Sequence, residues 1–146
     1  MKIYMAGALF TAAERLWNER IAKRLRELGY QVFLPQEVQE TSAFVIFSKD
    51  VDGLDDADVV VAWVEGPDPD SGTSWEIGYS YANGKLIIVY TTDSRFSQED
   101  ERYDINPMIA KSAHFFLRFD SSSSPEFIAD CLNDVITMAA SGGKDA

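Results

Sequence analysis

Residues 70–85 read DSGTSWEIGYSYANGK, so that Asp70 stands two residues before Gly72 and six before Glu76, in a stretch that passes from loop to helix. Two carboxylates at one such junction are the tools of glycosyl transfer, in which one attacks the anomeric carbon and the other gives a proton to the leaving group. The same residues have plainer uses. Thr73-Ser74-Trp75-Glu76 fits a T-x-x-E capping box, which would turn Glu76 back onto a backbone amide, and Asp70 fits an Asx-type turn cap. If Glu76 instead faces a crevice near the helix start, free amides there are expected to favour its anion and lower its pKa, the state a nucleophile needs. A third acid, Asp50, precedes the acidic stretch Asp52 to Asp58. It belongs either to a solvated face or to the same crevice.

Other chemistries find less support. His114 is the lone histidine and heads an apolar segment, which suits a structural role, and without a second histidine or a cysteine cluster no zinc site is expected. Cys131 is the single cysteine, so no intrachain disulfide can form; its apolar helical setting reads as a packed thiol. Neither G-x-G-x-x-G nor G-K-[ST] occurs, which removes the usual phosphate loops. The serine run 121–124 reads as a loop with a helix cap. Tyr4, Phe10, Trp63 and Trp75 are either core or stacking surface for a flat ligand.

The elements that must position these residues follow from apolar patterning. KIYMAGA is a buried strand, and Thr11-Ala12-Ala13-Glu14 caps a helix with Trp17, Ile21, Leu25 and Leu28 on one side, stopped by Gly29. YQVFLP gives a second strand; Phe44, Phe47, Val51 and Leu54 mark the apolar side of a second helix; ADVVVAWVE is a central strand covered on both faces. A helix from near Thr73 ends at Asn83-Gly84, strand KLIIVYT follows, and after a polar loop from Asp93 to Asp104 come a short segment NPMIAKSA, strand HFFLRF and a last helix opened by Ser124-Pro125-Glu126. Strands alternating with helices imply a three-layer α/β domain, a flavodoxin-like (Rossmann-like) five-stranded parallel sheet in the order 2-1-3-4-5, spanning residues 1–140 with a frayed tail at 141–146. In that order the connections after strands one and three diverge, and the crevice between them takes in Gly7 to Phe10 and GPDPDSG.

The chain has 146 residues, 46% of them hydrophobic, enough for one core, and a formal charge of -11 that argues against nucleic-acid partners. No apolar run approaches the roughly 20 residues of a membrane span, and a reducing cytoplasm is expected.

KIYMAGALF, DVDGLDDADVVVAW, DSGTSWEIGYSYANGK and Asn106-Pro107-Met108 together resemble the nucleoside 2-deoxyribosyltransferases, most specifically in the D-x-G-(x)3-E-[IL]-G-[YC] core. The resemblance implies that Glu76 is the nucleophile and that Asp70 and Asp50 belong to the group that binds sugar and moves protons. It implies substrate contacts from Tyr4 and Gly7 in the first loop, Gly72 in the core, Gln36 in the place of a base-contacting glutamine, and Asn106 and Met108, with Asn106 entering a neighbouring subunit's site. It implies 2′-deoxynucleosides and free nucleobases as substrates, no cofactor and no metal, and a homo-oligomer built from dimers with shared sites. Its departures are Ala8-Leu9-Phe10, where related deoxynucleoside monophosphate N-glycosidases carry Ser and Arg, and an end, SGGKDA, that lacks the aromatic residue of some members.

Overall fold

Five apolar runs become five parallel strands: β1 Lys2–Ala6, β2 Gln31–Phe33, β3 Val59–Trp63, β4 Leu86–Thr91 and β5 Phe115–Arg118. They lie in the order β2-β1-β3-β4-β5, as right-handed crossovers require. This computed structural model describes residues 1–95 and 105–142. In register, Tyr4 of β1 sits between Phe33 of β2 and Val60 of β3.

Alternate strand residues supply two cores. On one face, α1 (Ala12–Glu27) and α5 (Pro125–Gly142) bury Ile21, Leu25, Ile128 and Leu132 against Ile3, Val61, Ile88 and Tyr90. On the other, α2 (Ala43–Asp56), α3 (Ser71–Ala82) and the short α4 (Pro107–Ala110) bring Leu54, Ile77 and Ile109 onto Tyr4, Val60, Ala62 and Val89. The expected caps form: Thr11 Oγ1 accepts from the Glu14 amide at 3.2 Å while Glu14 Oε2 accepts from the Thr11 amide at 2.8 Å. Ser124 Oγ likewise accepts from the Phe127 amide at 3.2 Å, with Pro125 opening α5. His114 has the structural part expected of it, its Nδ1 accepting from the Ile87 amide at 3.1 Å.

Two expectations need correcting. Of the apolar residues on α2, Leu54 is buried, but Phe44 is 77% and Phe47 53% exposed. The helix meets the sheet through its second half, around Gly53 and Leu54, while in its first half Phe47 meets only the edge of Trp75 on α3 among the described rings. At the other end, α5 runs through Gly142, two residues into the segment expected to be a tail; residues 143–146 lie outside the described residues, as do residues 96–104 of the polar loop. Among the described residues no helix is long and apolar enough to cross a membrane.

Candidate active site

Asp70 decides where α3 begins. Its Oδ2 accepts from the Thr73 amide at 3.1 Å and its Oδ1 from the Thr73 hydroxyl at 2.6 Å, so Asp70 is the N-cap and the helix starts at Ser71. The T-x-x-E box therefore does not form. Glu76 lands in the second turn, past the free amides, and its Oε1 instead accepts a hydrogen bond of 3.0 Å from the hydroxyl of Tyr4 on β1 beneath it. With the first-turn amides out of reach, its pKa moves opposite to the expectation. Burial pushes the Glu76 carboxyl up to about 8; Tyr4 pulls it down, while Asp50 and Asp70 add like charge that raises it further.

Asp50 turns out to face Glu76. It sits on α2 in a cavity of about 270 Å³ lined with Phe47, Val51, Gly72, Trp75 and Glu76. Burial pushes its carboxyl up to about 6, and its Oδ1 is buried with no hydrogen-bond partner among the described residues. That unspent acceptor is free to engage a ligand.

How α2 comes close enough is a matter of one glycine. A Cβ on Gly53 would lie 3.0 Å from the Phe33 ring, and that ring stacks on Tyr4 at 5.2 Å between centroids and 10° between planes. Gly53, Phe33, Tyr4 and Glu76 thus form one contact chain from α2 through the sheet to α3. A second tie closes the helices from outside, where the Tyr79 hydroxyl donates to Asp55 Oδ1 at 2.7 Å. Neither Gly53 nor Tyr79 stands out from the sequence as a site residue; an interior helical glycine three residues after an acid was the available signal.

On the other side of Asp70 lies a cavity of about 260 Å³ whose walls include Ala8, Phe10, Glu14, Trp63, Glu65 and Asp70. Gly7 lets the first loop close on it, since a Cβ there would meet Trp63 Cβ at 3.3 Å. Glu65, unnoticed in the sequence, fixes this wall: its Oε1 accepts from Trp63 Nε1 at 2.5 Å and from the Thr92 amide and hydroxyl at 2.7 and 2.9 Å. Gly72 is equally confined, its added Cβ falling 3.3 Å from Asp70 Oδ2.

Three of the expected contacts stand apart. The Gln36 amide faces α1, donating to the Arg15 carbonyl at 2.9 Å and accepting from Asn18 at 3.1 Å; Asn18 in turn holds the Ala8 carbonyl at 2.9 Å. Gln36 is thereby linked to the first loop through Asn18. Asn106 caps α4 through its Oδ1 on the Met108 amide at 3.0 Å, and its own amides reach the Pro67 carbonyl at 2.9 Å and Asp68 at 3.3 Å. Met108 is 77% exposed. Within one chain, none of the three hydrogen-bonds to Glu76, Asp50 or Tyr4.

The sequence pattern of the nucleoside 2-deoxyribosyltransferase family matches residues 3–108. No curated protein matches the chain in sequence. Among solved structures, a conserved protein from Enterococcus faecalis V583 superposes with a TM-score of 0.74 at 24% identity, covering 92% of this chain and 98% of that one. A 2-deoxyribosyltransferase from Bacillus psychrosaccharolyticus gives 0.65 at 26% identity, covering 80% and 85%. A CMP N-glycosidase from Clostridium botulinum gives 0.66 at 20% identity, covering 92% and 99%. The first and third share the fold.

Proposed function

The chain belongs to the nucleoside 2-deoxyribosyltransferase family, and we propose accordingly that it moves 2-deoxyribose between nucleobases by double displacement on Glu76. The observation that carries this reading is the placement of Glu76, tethered by Tyr4 through one oxygen and sharing its cavity with Asp50. Oε2 of Glu76 attacks C1′ of a 2′-deoxynucleoside as the bond from C1′ to the base nitrogen breaks and that nitrogen takes a proton from Asp50, with Asp70 near the sugar. A deoxyribosyl ester of Glu76 remains. An incoming base attacks C1′ from the vacated side, its proton passes to Asp50, and the Glu76 carboxylate leaves. Two inversions give retention. The 2′-deoxy sugar supports oxocarbenium character unaided, so the protein supplies orientation and charge, and no cofactor is invoked.

Two carboxyls titrating near 6 and 8 carry one proton between them in that interval. The reactive form puts it on Asp50 and leaves Glu76 anionic. The acid for the departing base is then already in the site.

A second reading, N-glycosidase action on a deoxynucleoside 5′-monophosphate with water as acceptor, draws on the fold shared with the CMP N-glycosidase. Against it, the described residues lining the two cavities include Glu14, Asp50, Glu65, Asp70 and Glu76 and neither lysine nor arginine. A 5′-phosphate would meet like charge. Substrates are accordingly small uncharged nucleosides and bases in a cytoplasmic setting, and the working form is a homodimer or a multiple of one, with Asn106 of one subunit completing the site of the next.

Incubation with deoxythymidine and adenine tests the reading, with deoxyadenosine and thymine as expected products. Glu76→Ala stays folded and loses transfer, since the covalent route goes with its nucleophile. Base release from a 5′-monophosphate without transfer would favour the glycosidase, and no turnover of either would leave a nucleoside-binding module.

A further inference from the structure

The loop after β1 is held by side chains from the first two turns of α1. Glu14 accepts from the Phe10 and Thr11 amides at 2.8 Å each, Arg15 donates to the Leu9 carbonyl at 3.1 Å, and Asn18 donates to the Ala8 carbonyl at 2.9 Å. The Glu14 and Arg15 bonds are exposed to water, which can replace them. Asn18 is only 5% exposed, so the loss of its bond would go uncompensated. Behind Asn18 stands Gln36, on the single helical turn Pro35–Glu37 that follows β2. Gln36 Oε1 accepts from the Asn18 amide at 3.1 Å, and its own amide nitrogen donates to the Arg15 carbonyl at 2.9 Å and to the Glu19 carboxylate at 3.3 Å. A primary amide has two N–H groups, so both side chains have all their donors in use. Their orientation is fixed as well, because the Ala8 and Arg15 carbonyls and the Glu19 carboxylate can only accept.

We propose that Asn18, braced by Gln36, is a positioning residue that sets the first loop and thereby how closely the cavity beyond Asp70 fits a substrate. The inference rests on the transfer reading and gives Gln36 a part other than contact with a base. Ala8 and Phe10 of the loop wall that cavity together with Trp63, Glu65 and Asp70. The described lining of the cavity that holds Asp50 and Glu76 includes no residue of the loop. Disturbing Asn18 therefore weakens the hold on the substrate and leaves the chemical step in place, which is the kinetic mark of lost uniform binding.

Steady-state transfer from deoxythymidine to adenine and to cytosine, on the full chain, tests the assignment with Asn18→Leu, Gln36→Leu and the double variant. Asn18→Leu should raise KM for the nucleoside about five- to tenfold, the worth of a buried hydrogen bond, with kcat within about twofold and the pH dependence unmoved. Gln36→Leu should act in the same direction, and the double variant should be no worse than Asn18→Leu, because the two residues work through one contact. Gln36 lies on a half-buried turn, so its variant carries the test if Asn18→Leu does not fold. Tyr30→Phe is the control: it removes a 2.8 Å bond from the Tyr30 hydroxyl to Asn133 past the far end of α1, and should lower stability without moving KM. Independent effects of the two leucine substitutions, with the Gln36→Leu loss changing from one acceptor base to the other, would make Gln36 a base contact and overturn the proposal. A fall in kcat at unchanged KM would overturn it too. Hydrogen exchange of the loop amides without substrate, followed by mass spectrometry, should quicken in Asn18→Leu and not in Tyr30→Phe; unchanged exchange refutes the hold on the loop whether or not the protein transfers deoxyribose. If exchange quickens while the parent transfers nothing, the transfer reading falls and the hold on the loop stands.

Discussion

In the proposed mechanism Glu76 must be ionised to attack and Asp50 protonated to donate, although the site by itself favours the reverse. From this follows a bell-shaped dependence of kcat/KM on pH, rising through about 6 and falling through about 8, because only the singly protonated pair can react. A profile flat from pH 5 to 9 would remove the pair from the mechanism. Tyr4→Phe deletes the one contact that favours the Glu76 anion, so the alkaline limb should move to higher pH and the rate fall roughly three- to tenfold, the worth of a hydrogen bond. The same burial acts on stability. A carboxyl whose pKa is raised by folding stabilises the native state fully below its ordinary value and loses that contribution as pH climbs to about 8. Glu76→Gln should thus match the parent near pH 4 and exceed it by about 2–4 kcal/mol at pH 9 in denaturant titrations, since a tenfold change in proton affinity on folding is worth about 1.4 kcal/mol. The spacing of Asp50, Asp70 and Glu76 announced the acids. What it could not convey is the proton on Glu76, since that depends on burial of the carboxyl, with Asp50 adding like charge, and only the packing of α2 and α3 on the sheet supplies both.

Asp70 serves two ends, capping α3 and facing the crevice, and the two can be separated. Asp70→Ser should keep the cap within a few tenths of a kcal/mol yet impair transfer, whereas Asp70→Ala should lose transfer and about 1 kcal/mol of stability as well; equal activity in Asp70→Ser and the parent would confine Asp70 to the cap. Gly53→Ala places a methyl 3.0 Å from the Phe33 ring, and overpacking of that kind costs about 1–3 kcal/mol. Because Phe33 backs Tyr4, the same variant should also shift the pH profile, which a purely local defect would leave in place. Strands β1, β3 and β4 were legible because a buried parallel strand is continuously apolar. The cap of α3 lies three residues earlier than the T-x-x-E box suggests, since Asp70 and Thr73 are both good caps and only the tertiary setting chooses. The first half of α2 carries a core-like pattern without being core, because periodicity marks an apolar face without saying what lies opposite it.

The family pattern ends at Met108, yet the fold does not: α5 buries Ile128, Ala129, Leu132 and Ile136 against α1, and Arg20 and Arg24 bind Glu126 and Asp130 across the same seam. Residues 109–142 therefore complete the layer that holds β1, and with it Tyr4. Asn106 poses the question of assembly. In one chain it caps α4 and holds the β3–α3 loop, without a bond to the Glu76 cluster. If it completes a partner's site, Glu76→Ala and Asn106→Ala homodimers are both poorly active, and unfolding and refolding them together restores roughly a quarter of parental activity through the one intact site of each mixed dimer. A mixture no better than the mean of its parents, with mixed dimers confirmed by mass spectrometry, would confine Asn106 to its own chain. The exposed Met108 beside it is the sort of side chain such an interface would cover.

Trp17 and Trp63 stack on each other at 5.6 Å, with their indole N–H groups spent on Tyr90 and Glu65, while Trp75 stands 47% exposed on the opposite layer. The chain thereby carries optical reporters on opposite layers, one exposed and one half-buried. A neutral collisional quencher such as acrylamide reaches Trp75 first and removes the red side of the emission, leaving the blue side to the half-buried pair. Excited at one wavelength, a single sample distinguishes an event at the cavity mouth from the loosening of α1 on the sheet.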